Sequence, residues 1–101
     1  MTCGIYWIRN TVNDKKYIGS SDDIEERWMH HRSKLNTGKH HNLHLQRAYN
    51  KYGIENFIYF IIEECSMKVL EEKEDYYIDK HNTTSEDFGY NKKWAFGRKK
   101  N

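Results

Sequence analysis

The sequence predicts an α/β domain of the α+β type, with a small three-stranded sheet flanked by helices in the order β-β-α-α-β-α. Two aromatic and β-branched runs near the start are separated by a turn signal, which is typical of a β-hairpin and makes the sheet at least partly antiparallel. Two stretches with helical spacing follow, and a third β-rich run precedes a last helical stretch. A chain of 101 residues has room for one such domain.

The hairpin is predicted from residues 4–8 (GIYWI) and residues 17–19 (YIG). Between them stand Asn and Asp at positions 13–14, two residue types that favour turns. We expect the second strand to end at residues 19–21 (GSS), because glycine and serine commonly bound strands. The two arms would bring Tyr6 and Tyr17 together, although both could simply be cross-strand core aromatics.

Two helices are predicted after the hairpin. Asp22 with Glu25 three residues later forms a capping-box-like start for the first helix, which residues 36–38 (NTG) end. Gly53 ends the second helix. This helix is indicated by apolar residues at positions i, i+3, i+4 and i+7, which are Leu45, Ala48, Tyr49 and Tyr52.

The last strand and helix complete the order. Residues 57–62 (FIYFII) are apolar on both alternating faces, which is the pattern of a central strand covered on both sides. Ser66 is predicted to cap a third helix over about 67–81.

One carboxylate of the third helix stands at a position where charge is costly. Glu74 lies in the middle of the apolar stripe that includes Leu70 and Ile78, whereas Asp75 is expected outside it. An unpaired carboxylate in such a stripe costs on the order of several kcal/mol to desolvate. Glu74 therefore needs a cation, a strong hydrogen-bond donor or a cleft. The alternative is a buried Glu–Arg ion pair.

Arg27 and His31 are four residues apart on the first helix and project from one face of it. Together they could bind and polarise a phosphate. The alternative is a surface arginine beside a histidine packed on Trp28. The six histidines could also indicate a zinc site. Their spacing, however, is not that of a zinc finger, and the two cysteines are far away in sequence.

Charge is distributed unevenly along the chain. Residues 1–53 carry nine Lys/Arg against five Asp/Glu, residues 54–87 three against ten, and residues 88–101 five against none. This suits a domain with one face toward an anionic polymer, although a solvated acidic helix explains the middle segment equally well. We expect a domain over 1–91 and a basic tail over 92–101. Without a signal-like or membrane-spanning segment, a cytoplasmic location is expected.

The residues singled out above resemble, in their order, the GIY-YIG nucleases. Residues 4–6 (GIY) and 17–19 (YIG) match the two signature triplets, separated by ten residues. The remaining matches, in chain order, are Arg27, His31, residues 45–47 (LQR), residues 49–51 (YNK) leading to Gly53, Glu74 with residues 75–78 (DYYI), and residues 89–91 (GYN). The similarity covers most of the chain and is to the catalytic domains of phage intron-encoded homing endonucleases and their free-standing relatives.

The resemblance implies a three-stranded antiparallel sheet and a divalent-metal-dependent DNA endonuclease that hydrolyses phosphodiester bonds. It implies that Glu74 holds the metal, Mg²⁺ with Mn²⁺ as a substitute, and that Arg27 stabilises charge on the phosphate. The other implied active-site residues are Tyr6, Tyr17, His31, His40 and Asn91.

Tyr6 is implied to stand near the attacking water as its proposed base, with Tyr17 helping to position the water or the phosphate. A tyrosine with the ordinary pKa of about 10 is a poor base at neutral pH. Tyr6 would need help from the metal, from a neighbouring histidine, or from Lys15 or Lys16. The sequence leaves these three sources of help open.

Double-stranded DNA is the partner that the resemblance implies, bound by a monomer or by a transient dimer on the DNA. The presence of Tyr6, Arg27 and Glu74 together favours an enzyme, since a protein that only binds DNA needs no carboxylate near a phosphate. The alternative is a catalytically silent DNA-binding or DNA-structure-recognition module that retains the nuclease fold.

Overall fold

The computed structural model describes residues 1–92 and has the predicted order of elements. The strands are β1 (Gly4–Asn10), β2 (Lys16–Ser21) and β3 (Phe57–Glu64), and the helices are α1 (Ile24–Asn36), α2 (Leu43–Tyr52) and α3 (Leu70–His81). Short 3₁₀ turns precede β3 and α3. Apart from residue 92, the predicted basic tail lies outside the described residues. No helix in the described part has the length and apolar character needed to cross a bilayer.

β1 is the central strand of an antiparallel sheet with the order β2-β1-β3. The prediction that residues 57–62 form the central strand is therefore wrong, since β3 is an edge strand. Its Ile58 and Phe60 are 42% and 52% exposed. The reason is that α3 packs across β1 and β2 and leaves this face of β3 largely uncovered.

Alternate residues of β1 face two different cores, because successive side chains of a strand point to opposite sides. Tyr6 and Ile8 pack with residues of α1 and α2 on one side of the sheet. Ile5 packs with Ile18 of β2 and Ile78 of α3 on the other. The sheet therefore separates a layer formed by α1 and α2 from a layer formed by α3.

β2 ends and α1 begins close to where the sequence predicts. The strand ends at Ser21, within the predicted residues 19–21, and Ser21 pairs with Gly4. α1 is capped by Asp23 rather than Asp22, because the carboxylate of Asp23 accepts a hydrogen bond from a backbone N–H of the first turn. The helix start is therefore one position later than predicted.

α3 begins at Leu70, and Ser66 makes no capping hydrogen bond. The buried residues of this helix are Asp75 and Ile78, so the prediction that Asp75 lies outside the buried stripe is wrong. Around the helix axis, Glu74 lies about 40° to one side of Ile78 and Asp75 about 60° to the other side. Asp75 is fully enclosed, whereas Glu74 lies half-buried at the margin of the layer.

Candidate active site

Tyr6 and Tyr17 lie on the same face of the hairpin and form what we call the tyrosine pair. Tyr6 stands opposite Gly19 and Tyr17 opposite Ile8, so the two tyrosines are diagonal neighbours. Tyr6 is buried and Tyr17 is half-buried. The predicted hairpin therefore places the tyrosine of each triplet toward one site.

Gly19 is needed because the Tyr6 side chain lies directly over it. A Cβ atom at this position would collide with the Tyr6 hydroxyl and the adjacent ring carbons. The absence of a side chain at the third residue of the second triplet thus makes room for the tyrosine of the first.

Gly19→Ala is expected to lower the free energy of unfolding by about 1–3 kcal/mol, because the new methyl group overpacks a buried ring. Urea denaturation measures the change. In a Tyr6→Leu background the same substitution is expected to cost less, because both of the nearest clashing atoms, the tyrosine hydroxyl and the adjacent ring carbon, are then absent. Equal costs in the two backgrounds would contradict this account of the glycine.

His31 of α1 and His40, in the loop before α2, form a buried hydrogen-bonded chain with Tyr6. Tyr6 Oη lies 2.7 Å from His31 Nε2, and His31 Nδ1 lies 2.7 Å from His40 Nε2. The planes of the two imidazole rings are only 19° apart and their centroids are 5.0 Å apart, so the rings lie end to end in nearly one plane, as an N–H···N hydrogen bond requires. Burial, reinforced by neighbouring positive groups, lowers the pKa of His31 to about 3 and that of His40 to about 4.

The start of α2 holds His40 in place. The backbone N–H of His40 donates to Gln46 Oε1 (3.0 Å), and the backbone N–H of Asn42 donates to His40 Nδ1 (3.0 Å). Gln46 and Asn42 are both buried. Neither was predicted as a site residue, and the available signal was weak: an Asn directly before a helix and a Gln beside its apolar face.

Glu74 approaches the tyrosine pair from the opposite side of the sheet. Ser20 Oγ donates a hydrogen bond to its carboxylate, and Ser20, which alternates with Gly19, points toward α3. Glu74 is nevertheless near enough to the tyrosine pair for its charge to add to the rise that burial causes in the pKa of both tyrosines. Burial raises the pKa of Glu74. The hydrogen bond from Ser20 opposes this rise, and the nearby carboxylates of Asp75 and Glu71 add to it.

Arg27 lies on an exposed part of α1 and faces the tyrosine pair. Burial raises the pKa of Tyr17 to about 12, with Glu74 adding to the rise and Arg27 opposing it. Burial also raises the pKa of Tyr6 well above its usual value, and Arg27 again opposes the rise. Arg27 and His31 line one cleft with His40. The structure therefore brings six of the seven predicted site residues into one connected group. Tyr6, Tyr17, Arg27 and Glu74 are linked by charge interactions, and His31 and His40 are linked to Tyr6 by hydrogen bonds.

Asn91 is the seventh predicted residue, and its side chain is bound to the backbone of β2. Its Oδ1 accepts from the N–H of Ile18 (2.8 Å), and its Nδ2 donates to the Ile18 carbonyl (2.9 Å). The amide thus continues the hydrogen bonding of the sheet at the outer edge of β2. It braces the strand between Tyr17 and Gly19.

The lysines considered as helpers of Tyr6 lie elsewhere. Lys16 Nζ pairs with Asp14 at 3.3 Å and stands 5.2 Å from the centroid of the Trp7 ring. Trp7 is on the opposite face of β1 from Tyr6. Lys15 borders a different cleft, beside α2.

The arrangement suits a hard divalent cation bound through one carboxylate. Within residues 1–92, no three His, Cys, Asp or Glu side chains are grouped to hold a metal ion, and ring nitrogens of His31 and His40 serve in the hydrogen-bonded chain. Mg²⁺ keeps several waters and is usually bound through one or two carboxylates and substrate phosphates. Glu74, which has Asp75 and Glu71 close enough to raise its pKa, fits that mode because a cation offsets the concentrated negative charge.

Comparison with known proteins agrees with this geometry. A family model described as the GIY-YIG catalytic domain matches residues 2–91. The chain is 41% identical over 93 residues to Intron-associated endonuclease 1 of Enterobacteria phage T4, covering 90% of this chain and 37% of that protein. It is 38% identical over 86 residues to Probable intron-encoded endonuclease 1 of Neurospora crassa, covering 78% of this chain and 27% of that protein. The chain thus spans well under half the length of either relative.

Two solved structures have the same fold. One is a mutant of the catalytic domain of intron endonuclease I-TevI, with a TM-score of 0.84 and 38% identity, covering 93% of this chain and 96% of that chain. The other is the catalytic domain of homing endonuclease I-TevI, with a TM-score of 0.80 and 35% identity, covering 88% and 98%. The match includes nearly all of each solved domain.

Proposed function

The chain belongs to the GIY-YIG family of catalytic domains, and on that basis we propose that it is a divalent-metal-dependent DNA endonuclease that hydrolyses phosphodiester bonds. The observation that carries the proposal is the position of Glu74. This half-buried carboxylate is close enough to the tyrosine pair and to Arg27 for their charges to interact. A protein that only binds DNA has no use for such a carboxylate. We assign the cutting unit to residues 1–91.

Glu74 would hold the metal ion, with Ser20 orienting the carboxylate through its hydrogen bond. Family members generally depend on a divalent metal, and we propose Mg²⁺ here, with Mn²⁺ as a substitute. When bound, the ion supplies Lewis-acid neutralisation of phosphate charge. The single carboxylate leaves most of the coordination sphere to water and phosphate oxygens.

The protein side chains would hold the phosphate from the other face of β2. The exposed guanidinium of Arg27 can donate two parallel hydrogen bonds to phosphate oxygens. Tyr6 and Tyr17 would position the attacking water and the phosphate. Asn91 acts in this scheme as a positioning residue, because its bonds to Ile18 hold the strand that carries Tyr17.

The proposed partner is double-stranded DNA. Basic side chains line two clefts of the domain. Lys34 lies in the cleft next to Arg27, which Asp22 and Glu26 also line, and a separate cleft beside α2 is lined by Lys15, Arg47 and Lys51. Such side chains neutralise backbone phosphates without reading sequence. One active site cuts one strand at a time, so we propose a monomer that makes a double-strand break through a transient dimer on DNA or a second encounter.

Nicking of a supercoiled plasmid tests the function. The purified chain at high concentration and low salt is expected to convert the plasmid to open circles in Mg²⁺ or Mn²⁺, and EDTA is expected to stop the reaction. Salt-dependent DNA binding without nicking in either ion would instead favour a catalytically silent DNA-binding module.

Arg27→Ala is expected to lower the single-turnover nicking rate about 100-fold, because it removes a donor to charge that develops on the phosphate. Arg27→Lys should recover only part of the loss, since an ammonium lacks the planar fork of donors. Arg32→Ala is the matched control, because its guanidinium lies over the Tyr59 ring at 4.2 Å. Equal rates for Arg27→Ala and the control would refute the role given to Arg27.

A further inference from the structure

The hydrogen-bonded chain that ends at Tyr6 begins at a group that can only donate. This group is the backbone N–H of Asn42, which lies 3.0 Å from His40 Nδ1. His40 Nδ1 must therefore be the acceptor and carry no proton. A neutral imidazole has one N–H, so the proton of His40 is on Nε2.

The same reasoning passes along the chain to Tyr6. His40 Nε2–H faces His31 Nδ1 at 2.7 Å, which makes that nitrogen an acceptor and places the His31 proton on Nε2. His31 Nε2–H then faces Tyr6 Oη at 2.7 Å. An imidazolium carries an N–H on both nitrogens. At either position one of these would point at the N–H of the preceding group in the chain, where an acceptor is needed, so both rings are neutral in this arrangement. The lowered pKa values of the two histidines agree with it.

We propose that Asn42, His40 and His31 form a relay in which the start of α2 fixes the proton positions, so that Tyr6 always accepts a hydrogen bond from His31. The hydroxyl hydrogen of Tyr6 is then available to another acceptor. His31 does not take the proton of Tyr6. It stabilises the phenolate if that proton leaves, and this mechanistic consequence rests on the proposed function.

Several contacts hold the first group of the relay in place. The Asn42 side chain caps α2 by accepting from the Leu45 N–H (3.0 Å) and donates to the Tyr90 carbonyl (2.7 Å). Gln46 binds the His40 backbone at 3.0 Å and also donates to a carbonyl at the end of α1. His40 and Asn42 are therefore positioning residues, because they act on Tyr6 only through His31.

NMR of the chain labelled with ¹⁵N-histidine tests the relay directly. A long-range ¹H–¹⁵N correlation spectrum at pH 7, without DNA or metal, is expected to show the neutral Nε2–H tautomer for both His31 and His40. His31→Gln and His40→Gln assign the signals. If a variant fails to fold, contacts of the His31 ring with the rings of Tyr6 and Tyr17 assign them instead. An Nδ1–H tautomer or an imidazolium at either histidine would overturn the relay.

Two substitutions at His31 test its effect on cleavage. His31→Gln can still present an N–H to Tyr6, whereas His31→Leu cannot. The Gln variant is expected to nick about 10-fold faster than the Leu variant when both are compared at equal folded concentration. If His31 were a base, neither variant would accept the proton, and equal rates would overturn the donor role. Because the spectrum needs no DNA, a chain with both tautomers that never nicks would refute the proposed function alone.

Discussion

Glu74→Gln is expected to lower the rate of Mg²⁺-dependent nicking at least about 1,000-fold, because the substitution removes a carboxylate whose charge interacts with both Arg27 and the tyrosine pair. A metal at a phosphate supplies several kcal/mol of charge stabilisation, and about 4 kcal/mol corresponds to that change in rate. The fold should persist. A glutamine has nearly the same shape, can still accept from Ser20, and removes a charge whose burial is costly.

Glu72→Gln is the matched control for this prediction. Glu72 is on the same helix but exposed, so its substitution changes the net charge equally without touching the site. Single-turnover nicking measures the rate, and electron paramagnetic resonance of Mn²⁺ measures metal binding. A Glu74→Gln variant that cuts within 10-fold of the control would show that the metal is not held by this carboxylate.

Acidification below about pH 6.5 is expected to destabilise the domain, because His31 and His40 are neutral in the folded state. Their pKa values are lowered from 6.5 to about 3 and about 4. Below pH 6.5 the unfolded chain therefore binds more protons than the folded one. The free energy of unfolding decreases as the pH is lowered, until the folded pKa values are reached. At pH 5 the contribution lost through His31 is roughly 2 kcal/mol. His40 adds to the loss in the same direction.

Urea denaturation at pH 7.5, 6 and 5 measures this loss. The experiment is cleanest in the Glu74→Gln background. Burial raises the pKa of Glu74, so protonation of this carboxyl increases the free energy of unfolding as the pH falls and opposes the effect of the histidines. His31→Gln is expected to reduce the change in the free energy of unfolding between pH 7.5 and 5. His30 is exposed on the same helix, so His30→Gln is expected to leave that change as it is in the parent chain. A free energy of unfolding that is unchanged between pH 7.5 and 5 would contradict the neutral, enclosed histidine pair.

Elements whose buried residues are close in sequence could be predicted well. α2 is the clearest case, because Leu45, Ala48 and Tyr49 are buried as their spacing predicts. Gly53 ends the helix with a φ of 90°, which few other residues adopt. β3 was misplaced for the opposite reason. The composition of residues 57–62 indicates a high β propensity. It does not indicate which strands lie beside this one or where α3 crosses the sheet.

The same distinction applies to the site. Tyr6 and Tyr17 could be paired from the sequence because a hairpin joins them locally. Ser20 could not be paired with Glu74, since the partners are separated by 54 positions and meet only because α3 packs on β2. The contact of Asn42 with His40 also depends on a loop conformation that side-chain patterns do not encode. Long-range packing therefore decides which polar residues complete the site.

The central position of β1 also has a consequence for how the domain is made. Within this domain β1 is synthesised before β3, so its second edge stays unpaired until β3 has followed. The site is complete only after α3 and Asn91 have also been made. Closing such distant contacts costs chain entropy and slows folding. If the proposed activity is correct, a nascent or prematurely terminated chain holds the tyrosine pair without Glu74. The capacity to damage DNA would therefore arise only when the domain is nearly complete.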